Sequence, residues 1–221
     1  MKYSAVILLG GSSRRFNDGK INKVYLPIND KPLFIYSALA FIHDVDCEEV
    51  IIVYNKNDLD ELKKYIKDLN ITLVKGGDER YISVLNGIRK ARSSYVLVHD
   101  GARPNINQEL INRVKDGLAK ATAVSLGVPV KDTIKEVKDA INTIPRDSLY
   151  YMQTPQGSNR QALIEVLEKV KPDDAITDDL MAFEKYSNIT PLIVLGDEKN
   201  IKITTSDDYE YVKYLMEKQN V

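Results

Sequence analysis

An α/β fold with a mostly parallel sheet and helices on both faces is the fold class that the sequence predicts. Short apolar, β-branched runs alternate with stretches of helical period, and this alternation is typical of strands buried on both faces of a parallel sheet. Polar, glycine-containing segments follow the first, third and fourth runs, and in such folds ligands bind beyond the carboxyl ends of the strands. The 221 residues, 43% of them hydrophobic, predict a single large domain over residues 1–221 with a full core.

The apolar runs predict six strands of the main sheet, and the helical periods predict seven helices. The predicted strands are Ser4–Leu9, Val50–Tyr54, Ile71–Val74, Tyr95–His99, Ala123–Val128 and Pro191–Leu195. The predicted helices are Leu33–Ile42, Leu59–Leu69, Ile82–Ala91, Gln108–Ala119, Gln161–Val170, Leu180–Lys185 and Asp208–Lys218.

Residues 131–153 break this alternation and predict a β-arm. Val130–Val137 alternates as a strand, and after a polar stretch the chain turns back at Thr143–Asp147. Because an isolated two-stranded ribbon is only marginally stable in water, we expect the arm to pack against a second copy of the chain.

The composition excludes several classes of protein. Basic and acidic residues nearly cancel, 31 against 32, so the net charge gives no reason to expect nucleic acid as a partner. Cys47 is the only cysteine, which leaves no disulfide framework and no cysteine cluster for zinc. The first residues carry no basic segment followed by a long apolar one, and no apolar run approaches the length of a membrane span. We therefore expect a cytoplasmic protein without a membrane partner.

A glycine-rich loop with basic residues follows the first predicted strand. Gly10, Gly11 and the small Ser13 allow the backbone to approach a ligand closely, and backbone N–H groups in such a turn bind phosphate oxygens. Arg15 and Lys23 add the positive charge that a polyphosphate needs. The run matches neither the P-loop nor the dinucleotide-binding pattern of glycines. By itself it predicts either a nucleoside triphosphate site or an ordinary strand-to-helix turn.

Asp100 is the best metal candidate in the chain. It ends the strand Tyr95–His99 beside Gly101, and Mg²⁺ takes few protein oxygens and completes its shell with water and phosphate. The alternative is that Asp100 caps a turn and pairs with Arg103. His99 is expected to be structural. With two histidines in all, histidine-based acid–base catalysis is not expected, and the remaining set of Arg, Lys and Asp suits electrostatic stabilisation of a phosphoryl transfer.

Two further segments carry candidate ligands. Gly76–Arg80 precedes a predicted helix that contains Ser83, so the loop and the helix N-terminus offer backbone groups to a base or a sugar. The alternative is a helix entry with Asp78 as its cap. Lys202 lies between two isoleucines on a predicted short strand, and it faces either a cleft or solvent.

Seven motifs, in this order and spacing, resemble the 2-C-methyl-D-erythritol 4-phosphate cytidylyltransferase family over nearly the whole chain. They are GGSSRRF…KVYLP, GGDERYISVLNGI, VHDGARP, PVKDTIKEV, IPRDSLYYMQTPQ, ITDDLMAFE and NIKITTSDD. The resemblance implies a Rossmann-like sheet of the nucleotide-diphospho-sugar transferase type. It also implies transfer of CMP from CTP to methylerythritol phosphate with Mg²⁺ as cofactor, and a homodimer in which the β-arm reaches the neighbouring subunit.

The resemblance also implies a role for each matching residue. The catalytic cations on the triphosphate are Arg15, Lys23 and Lys202. The nucleotide-binding residues are Gly10, Gly11 and Ser13, which line the phosphate loop, Gly77, Asp78 and Ser83, which lie by the cytosine and ribose, and Gly101. Asp100 is the implied Mg²⁺ ligand. The positions that resemble the acceptor side of the site are Arg103, Thr133, Arg146, Thr154 and Thr177.

The chain departs from the family pattern in its first loop. Ser13 stands where the family has a second glycine, and the loop that leads to Lys23 is about one residue longer, so the seating of the triphosphate is in question. Three alternatives stay open: a cytidylyltransferase for another polyol phosphate such as ribitol 5-phosphate, a non-catalytic nucleotide-binding module, and a Rossmann-type oxidoreductase. The last lacks its third glycine and an acidic partner for the ribose.

Overall fold

The computed structural model describes residues 1–10 and 22–218. Its strands are β1 Tyr3–Leu8, β2 Pro27–Ile28, β3 Lys31–Pro32, β4 Cys47–Tyr54, β5 Ile71–Lys75, β6 Tyr95–Asp100, β7 Ala123–Pro129, β8 Ile134–Val137, β9 Ile141–Ile144, β10 Tyr150–Asn159 and β11 Leu192–Leu195. Its α-helices are α1 Leu33–Ile42, α2 Leu59–Tyr65, α3 Arg80–Lys90, α4 Gln108–Leu118, α5 Arg160–Leu167, α6 Asp179–Tyr186 and α7 Ser206–Lys218. Short 3₁₀ helices cover Lys23–Tyr25 and Arg146–Ser148.

Seven of the described strands form the central sheet, in the order β11-β7-β10-β6-β1-β4-β5. The pairs of β1 with β4 and β6, of β4 with β5, and of β11 with β7 are parallel, while β10 is antiparallel to both β6 and β7. Six strands therefore share one direction, which confirms the predicted α/β fold with a mostly parallel sheet.

Helices cover both faces of the sheet because its central strands bury alternate side chains on opposite sides. In β1, Ala5 and Ile7 pack into one apolar cluster with Phe34 and Phe41 of α1 and with α4. Val6 and Leu8 of the same strand pack into a second cluster with α3, α5 and α6. A third, smaller cluster joins α7 to β2 and to Leu33. Over residues 1–10 and 22–218, no helix is long and apolar enough to cross a membrane.

The central strand β10 was not predicted from the sequence. Residues 150–153 fall within the predicted β-arm, but they pair with β7 in the main sheet. Pro155 within the run argues against a central strand, and the pairing with β7 shifts register between Gln153 and Gln156. Because this shift in register lies at Pro155, the sheet accommodates a proline that cannot donate a hydrogen bond to the ladder.

The β-arm is a hairpin of β8 and β9, paired from Ile134 with Ile144 to Val137 with Ile141. Val137 and Ile141 are each 69% exposed. The hairpin stands apart from the central sheet, as expected from the break in the sequence pattern.

Candidate active site

The segments after β1, β4 and β5 meet at the carboxyl edge of the sheet, as the parallel topology requires. They line a cavity of about 610 Å³. Its lining residues are Leu8, Gly10, Tyr54, Asn55, Lys56, Lys75, Gly76, Gly77, Asp78, Glu79, Arg80, Ile82 and Ser83. Gly10, Gly77, Asp78 and Ser83 were candidates from the sequence, whereas Lys56 and Lys75 were not. Gly11, Ser13 and Arg15 lie outside the described residues.

The Gly77 loop is held to the first turn of α3. Ser83 Oγ accepts a hydrogen bond from Gly77 N at 3.0 Å, and a Cβ at Gly77 would lie 2.2 Å from Ile82 Cγ2. The packing therefore requires glycine at this position. Asp78 is exposed and does not cap the helix, because the N-cap residue of α3 is Glu79, which makes no side-chain capping bond. The alternative in which Asp78 is the cap is wrong.

Asp100 is buried at the end of β6 and is surrounded by cations. Lys202 Nζ lies 2.8 Å from its Oδ2, and Arg103 Nε lies 3.8 Å from the same oxygen. Burial alone would raise the pKa of this carboxyl, but the charges of Lys202, Arg80 and Arg103 hold it well below its usual range. Asp100 is therefore an ionised carboxylate. Its backbone carbonyl also accepts a hydrogen bond from Arg103 N at 3.0 Å, so the predicted turn and the predicted pairing with Arg103 are both present.

Lys202 reaches Asp100 from a segment that is not a strand. Residues 201–204 form no regular element, which corrects the short strand expected there. The hydrogen bond from Ile203 N to Ala102 O, 2.9 Å, ties the segment to the turn after β6. Ile203 is buried and the Lys202 side chain is 43% exposed, so the two neighbours point to opposite sides and the lysine lies at the surface beside Asp100.

Lys23 lies in a 3₁₀ helix near the start of α7. Burial alone would raise the pKa of the Asp208 carboxyl. Hydrogen bonds from the Thr204 and Thr205 amides, together with the charge of Lys23, instead hold it below the ordinary value. The side of the site that carries Lys202 therefore also carries Lys23.

A chain of buried hydrogen bonds supports Asp100 from beneath. Asp100 N donates to Thr154 Oγ1 at 3.0 Å, and Thr154 Oγ1 lies 3.1 Å from His99 Nδ1. His99 Nε2 lies 3.1 Å from the carbonyl of Arg103, which only accepts, so this nitrogen carries the proton and Nδ1 accepts from Thr154. Burial lowers the pKa of His99 to about 4. The histidine is therefore neutral and structural, as expected.

The site also contains an ion pair that no sequence pattern indicates. Arg80 Nη1 lies 2.6 Å from Asp179 Oδ1 and links α3, beside the cavity, to the first turn of α6. Asp179 N in turn donates to Gln156 Oε1 of β10 at 2.9 Å. The two acids of the ITDD motif resemble an ordinary helix start, and Asp178 indeed caps α6, so nothing in the local sequence indicates that Asp179 pairs with Arg80.

The remaining acceptor-side candidates lie apart from Asp100. Thr133 and Arg146 are exposed, and Arg146 donates to the carbonyl of Lys131. Thr177 Oγ1 donates to Met181 Sδ at 3.7 Å. Within the described part of the chain, no hydrogen bond or ion pair joins these three to Asp100. The structure brings together Asp100, Arg103, Thr154 and Lys202.

Gly101 completes the turn after β6. A Cβ at this residue would lie 2.4 Å from Leu9 Cδ2 and 3.2 Å from Leu8 O. Because the turn packs this closely against the end of β1, it places Asp100 next to the start of the glycine-rich loop.

Comparisons with known proteins agree on one family. The profile of the 2-C-methyl-D-erythritol 4-phosphate cytidylyltransferase family matches residues 3–218. The enzyme of that name from Lachnospira eligens is 36% identical over 94% of this chain and 96% of its own length, and the one from Bacillus licheniformis is 37% identical over 98% and 96%. The crystal structure of 4-diphosphocytidyl-2C-methyl-D-erythritol synthase from Anaerococcus prevotii superposes with a TM-score of 0.85, at 27% identity over 98% of each chain.

The profile spans both halves of the sheet, and these relatives match nearly from end to end. The chain therefore belongs to the 2-C-methyl-D-erythritol 4-phosphate cytidylyltransferase family, and it is a nucleotidyltransferase that transfers a cytidylyl group to 2-C-methyl-D-erythritol 4-phosphate in isoprenoid precursor synthesis.

Proposed function

We propose that the cytidylyl donor is CTP and that it occupies the cavity beside Asp100. The observation that carries this proposal is the contact between Lys202 and Asp100, whose neighbour in the sheet, Leu8, lines the cavity, since this contact offers a cation to a bound phosphate. The cytosine and ribose would contact Gly77, Asp78 and Ser83, with Gly101 closing the nucleotide site near β1. The triphosphate would contact Gly10, Gly11, Ser13, Arg15, Lys23 and Lys202.

We infer that Asp100 holds a Mg²⁺ ion. Over the described residues, no cluster of three or more His, Cys, Asp or Glu side chains could hold a metal. A lone carboxylate nevertheless suits Mg²⁺, which commonly binds through one or two carboxylates together with phosphate and water. The ionised state of Asp100 fits that chemistry. The ion would supply charge neutralisation on the triphosphate, and Lys202 would move from Asp100 to a phosphate oxygen.

The reaction needs no general base. An oxygen of the acceptor's phosphate, already an anion, attacks the α-phosphorus of CTP. A new P–O bond forms as the bond to the bridging β-phosphate oxygen breaks, and pyrophosphate leaves with the electron pair. The residues position the two anions and neutralise their charge. Arg103, Thr133, Arg146, Thr154 and Thr177 are the proposed acceptor-side residues, with Arg146 on the incoming phosphate.

Pyrophosphate release tests the donor, the acceptor and the metal together. We expect turnover with CTP and methylerythritol phosphate in the presence of Mg²⁺, and much less with ribitol 5-phosphate. Asp100→Asn should lower turnover and alter the Mg²⁺ requirement, while Asp116→Asn on the exposed face of α4 should change neither. A wild-type Mg²⁺ titration curve for Asp100→Asn would contradict the metal assignment, and preferred turnover of ribitol 5-phosphate would contradict the acceptor.

Single substitutions test the phosphate-binding cations. Arg15→Ala, Lys23→Ala and Lys202→Ala should each lower kcat by roughly 10²–10³-fold, by analogy with the loss of one preorganised donor. Lys202→Ala removes the nearest cation of the buried Asp100 carboxylate and leaves Arg103 and Arg80 near it, so the melting temperature of this variant is measured to show that it folds before its kcat is compared. Folded variants with wild-type kcat would refute these roles.

We further propose a homodimer that forms through the β-arm, residues 131–153, with Arg146 serving the site of the neighbouring subunit. Its support is the hairpin itself, because Val137 and Ile141 are apolar and largely exposed, and an isolated ribbon is marginally stable. Arg146 lies in the 3₁₀ helix that follows the hairpin.

Mixing two inactive variants, Arg146→Ala and Lys23→Ala, tests this arrangement. In a mixed dimer, one site combines Lys23 of one chain with Arg146 of the other and is intact. Activity should return to about a quarter of wild type for random exchange between equal amounts, since half of the dimers are mixed and each has one good site. No recovery in mixed dimers verified by mass spectrometry would place Arg146 in its own subunit's site.

We also place the enzyme in the cytoplasm. Cys47, the only cysteine of the sequence, is free, and a lone reduced thiol suits that compartment. Cell fractionation tests this, and recovery of the activity from another fraction would contradict it.

A further inference from the structure

We propose that Gln153 and Gln156 of β10 are positioning residues that hold two segments of the active site in place. Gln153 holds the turn that leads to Lys202, and Gln156 holds the start of α6, which follows Thr177. The proposal rests on the proposed roles of Lys202 at the phosphates and of Thr177 on the acceptor side. It gives a purpose to the two glutamines of the IPRDSLYYMQTPQ motif.

The turn before Lys202 encloses the side-chain amide of Gln153. Nε2 of the glutamine donates to Asp197 O at 2.7 Å, and its Oε1 accepts from Asp197 N at 3.2 Å and from Asn200 Nδ2 at 3.4 Å. A Cβ at Gly196 would lie 2.4 Å from that Oε1, so the turn comes this close only because the residue is glycine. Since Lys202 follows Asn200 by two residues, the amide of Gln153 fixes the turn from which the lysine extends.

The side-chain amide of Gln156 binds the start of α6. Its Oε1 accepts from Asp179 N at 2.9 Å, and its Nε2 donates to Asp178 Oδ2 at 3.1 Å. Nε2 also donates to Ser125 Oγ of β7 at 3.1 Å, so both N–H groups of the amide are used. Because Asp178 and Asp179 directly follow Thr177, the glutamine fixes the backbone that carries this threonine.

Both amides are buried, and they stand on a central strand. Gln153 is 6% exposed and Gln156 is 3% exposed, so their partners are groups of the protein. β10 pairs with β6 on one edge and with β7 on the other, and Thr154, between the two glutamines, accepts from Asp100 N at 3.0 Å. The strand that supports Asp100 therefore also holds both neighbouring segments, which is the rigid support that a preorganised site requires.

Crossed double-mutant cycles, measured by pyrophosphate release, test this proposal. Methionine is about as long as glutamine but has no amide to form these hydrogen bonds. Gln153→Met should lower kcat by about 10- to 100-fold, a part of the loss expected for a missing cationic donor, and leave the acceptor KM within about twofold of wild type. In the Lys202→Ala background it should lower kcat no further, because residues that act through one another are not additive.

Gln156→Met should show the opposite effect on kcat and KM. Its acceptor KM should rise by about tenfold, which corresponds to the loss of about one hydrogen bond, while kcat stays within about threefold of wild type. In the Thr177→Val background the KM should rise no further. In the two crossed combinations, Gln153→Met with Thr177→Val and Gln156→Met with Lys202→Ala, the losses should multiply.

Tyr3→Phe is the matched control for the loss of a buried hydrogen bond. Tyr3 is fully buried and its hydroxyl donates to Asp44 Oδ2 at 2.8 Å. It lies at the start of β1, whereas Gly10 follows the other end of that strand. We therefore expect kcat and the acceptor KM of this variant to stay within about twofold of wild type. A loss in Tyr3→Phe as large as in the glutamine variants would show that lowered stability causes both, and it would overturn the proposal.

The outcomes separate this proposal from the roles on which it rests. If Lys202→Ala keeps wild-type kcat, or Thr177→Val keeps the wild-type acceptor KM, the proposed role of that residue fails. If both are impaired but each glutamine variant multiplies the loss of its own partner, the positioning role fails alone. The positioning role also fails if both glutamine variants lower kcat and raise KM alike.

If a methionine variant does not fold, a crystal structure of the wild-type enzyme with bound acceptor decides. An acceptor atom within hydrogen-bonding distance of either glutamine amide overturns the proposal. Amides that still bind Asp197 and Asp179, with Thr177 in contact with the acceptor, support it.

Discussion

Replacing Arg80 with alanine should destabilise the fold, and more at neutral than at acidic pH. Arg80 forms an ion pair with Asp179 at 2.6 Å, and the Asp179 side chain is only 3% exposed. Burial raises the pKa of the Asp179 carboxyl, although the charge of Arg80 acts in the opposite direction. Without Arg80, a buried carboxylate would remain without its cation, and its pKa would rise further.

The magnitude follows from the burial of the pair. Removing one partner of a buried ion pair costs about 3–5 kcal/mol, and each kcal/mol lowers the melting temperature of a chain of this size by about 2–4 °C. We therefore expect Arg80→Ala to melt about 6–20 °C below wild type at pH 7. At low pH the loss should shrink. A group with a raised folded-state pKa contributes stability below its unfolded pKa and loses it as pH rises through the folded pKa.

Arg89→Ala is the matched control for this prediction. Arg89 lies on the same helix α3 and pairs with Glu168 at the same distance of 2.6 Å, but the two side chains are 52% and 48% exposed. An exposed pair is worth about 0–1 kcal/mol, so its melting temperature should fall by no more than about 4 °C. Calorimetry of both variants at pH 5 and pH 7 measures the difference. Equal losses in the two variants, or a loss in Arg80→Ala that grows towards pH 5, would refute the reasoning.

Two further predictions concern the stability of the scaffold. Gly87→Ala should lower the free energy of unfolding in urea by about 1–3 kcal/mol through overpacking, because a Cβ there would lie 2.5 Å from Val6 Cγ1 and 2.8 Å from Val53 Cγ2; an unchanged urea midpoint would contradict it. Burial alone would raise the pKa of Asp44, but hydrogen bonds and the charge of Lys115 hold it below the ordinary value. The stability that Asp44 contributes is present above about pH 4 and is lost as pH falls through the lower folded-state value. Melting temperatures of Asp44→Asn should therefore depend less on pH below about 4 than those of wild type, and parallel curves would contradict this.

The parallel part of the fold could be predicted because its signal is local. The central parts of β1 and β4, residues 5–8 and 50–53, are uninterrupted apolar runs, because burial on both faces of the sheet leaves them no other pattern. The antiparallel strand β10 escaped prediction because Thr154, Gln156 and Ser158 are polar although buried. Thr154 and Gln156 have their partners elsewhere in the chain, Asp100 N and Ser125 Oγ, while Ser158 Oγ is buried without one. A polar strand whose hydrogen bonds are satisfied only in the folded state resembles a loop in sequence.

Some residues of the candidate site could be predicted from the sequence, while its contacts could not. The carboxyl-edge rule brings Gly10, Gly77 and Asp100 to one edge from their places after strands. The Arg80–Asp179 pair could not be predicted, since its partners are 99 residues apart. The hydrogen bonds of Arg103 to two backbone carbonyls are harder still to predict, because every residue carries such a group. A sequence shows that an arginine is present but not which carbonyls its guanidinium binds.

The charges around Asp100 suit a reaction between anions. Lys202, Arg103 and Arg80 lie near Asp100, and Arg80 also pairs with Asp179, so these five side chains carry one positive charge in excess before any ligand arrives. In the proposed reaction with CTP, two polyanions would have to meet, and their mutual repulsion would be the main obstacle for the protein to remove. Asp100 keeps the cations together and the buried, neutral His99 supports it without adding a charge. In the proposed reaction, a site built in this way would lower the barrier by holding positive charge in a fixed place, and it would depend on the turn after β6, to which the bond from Ile203 N to Ala102 O ties the Lys202 segment, as much as on Lys202 itself.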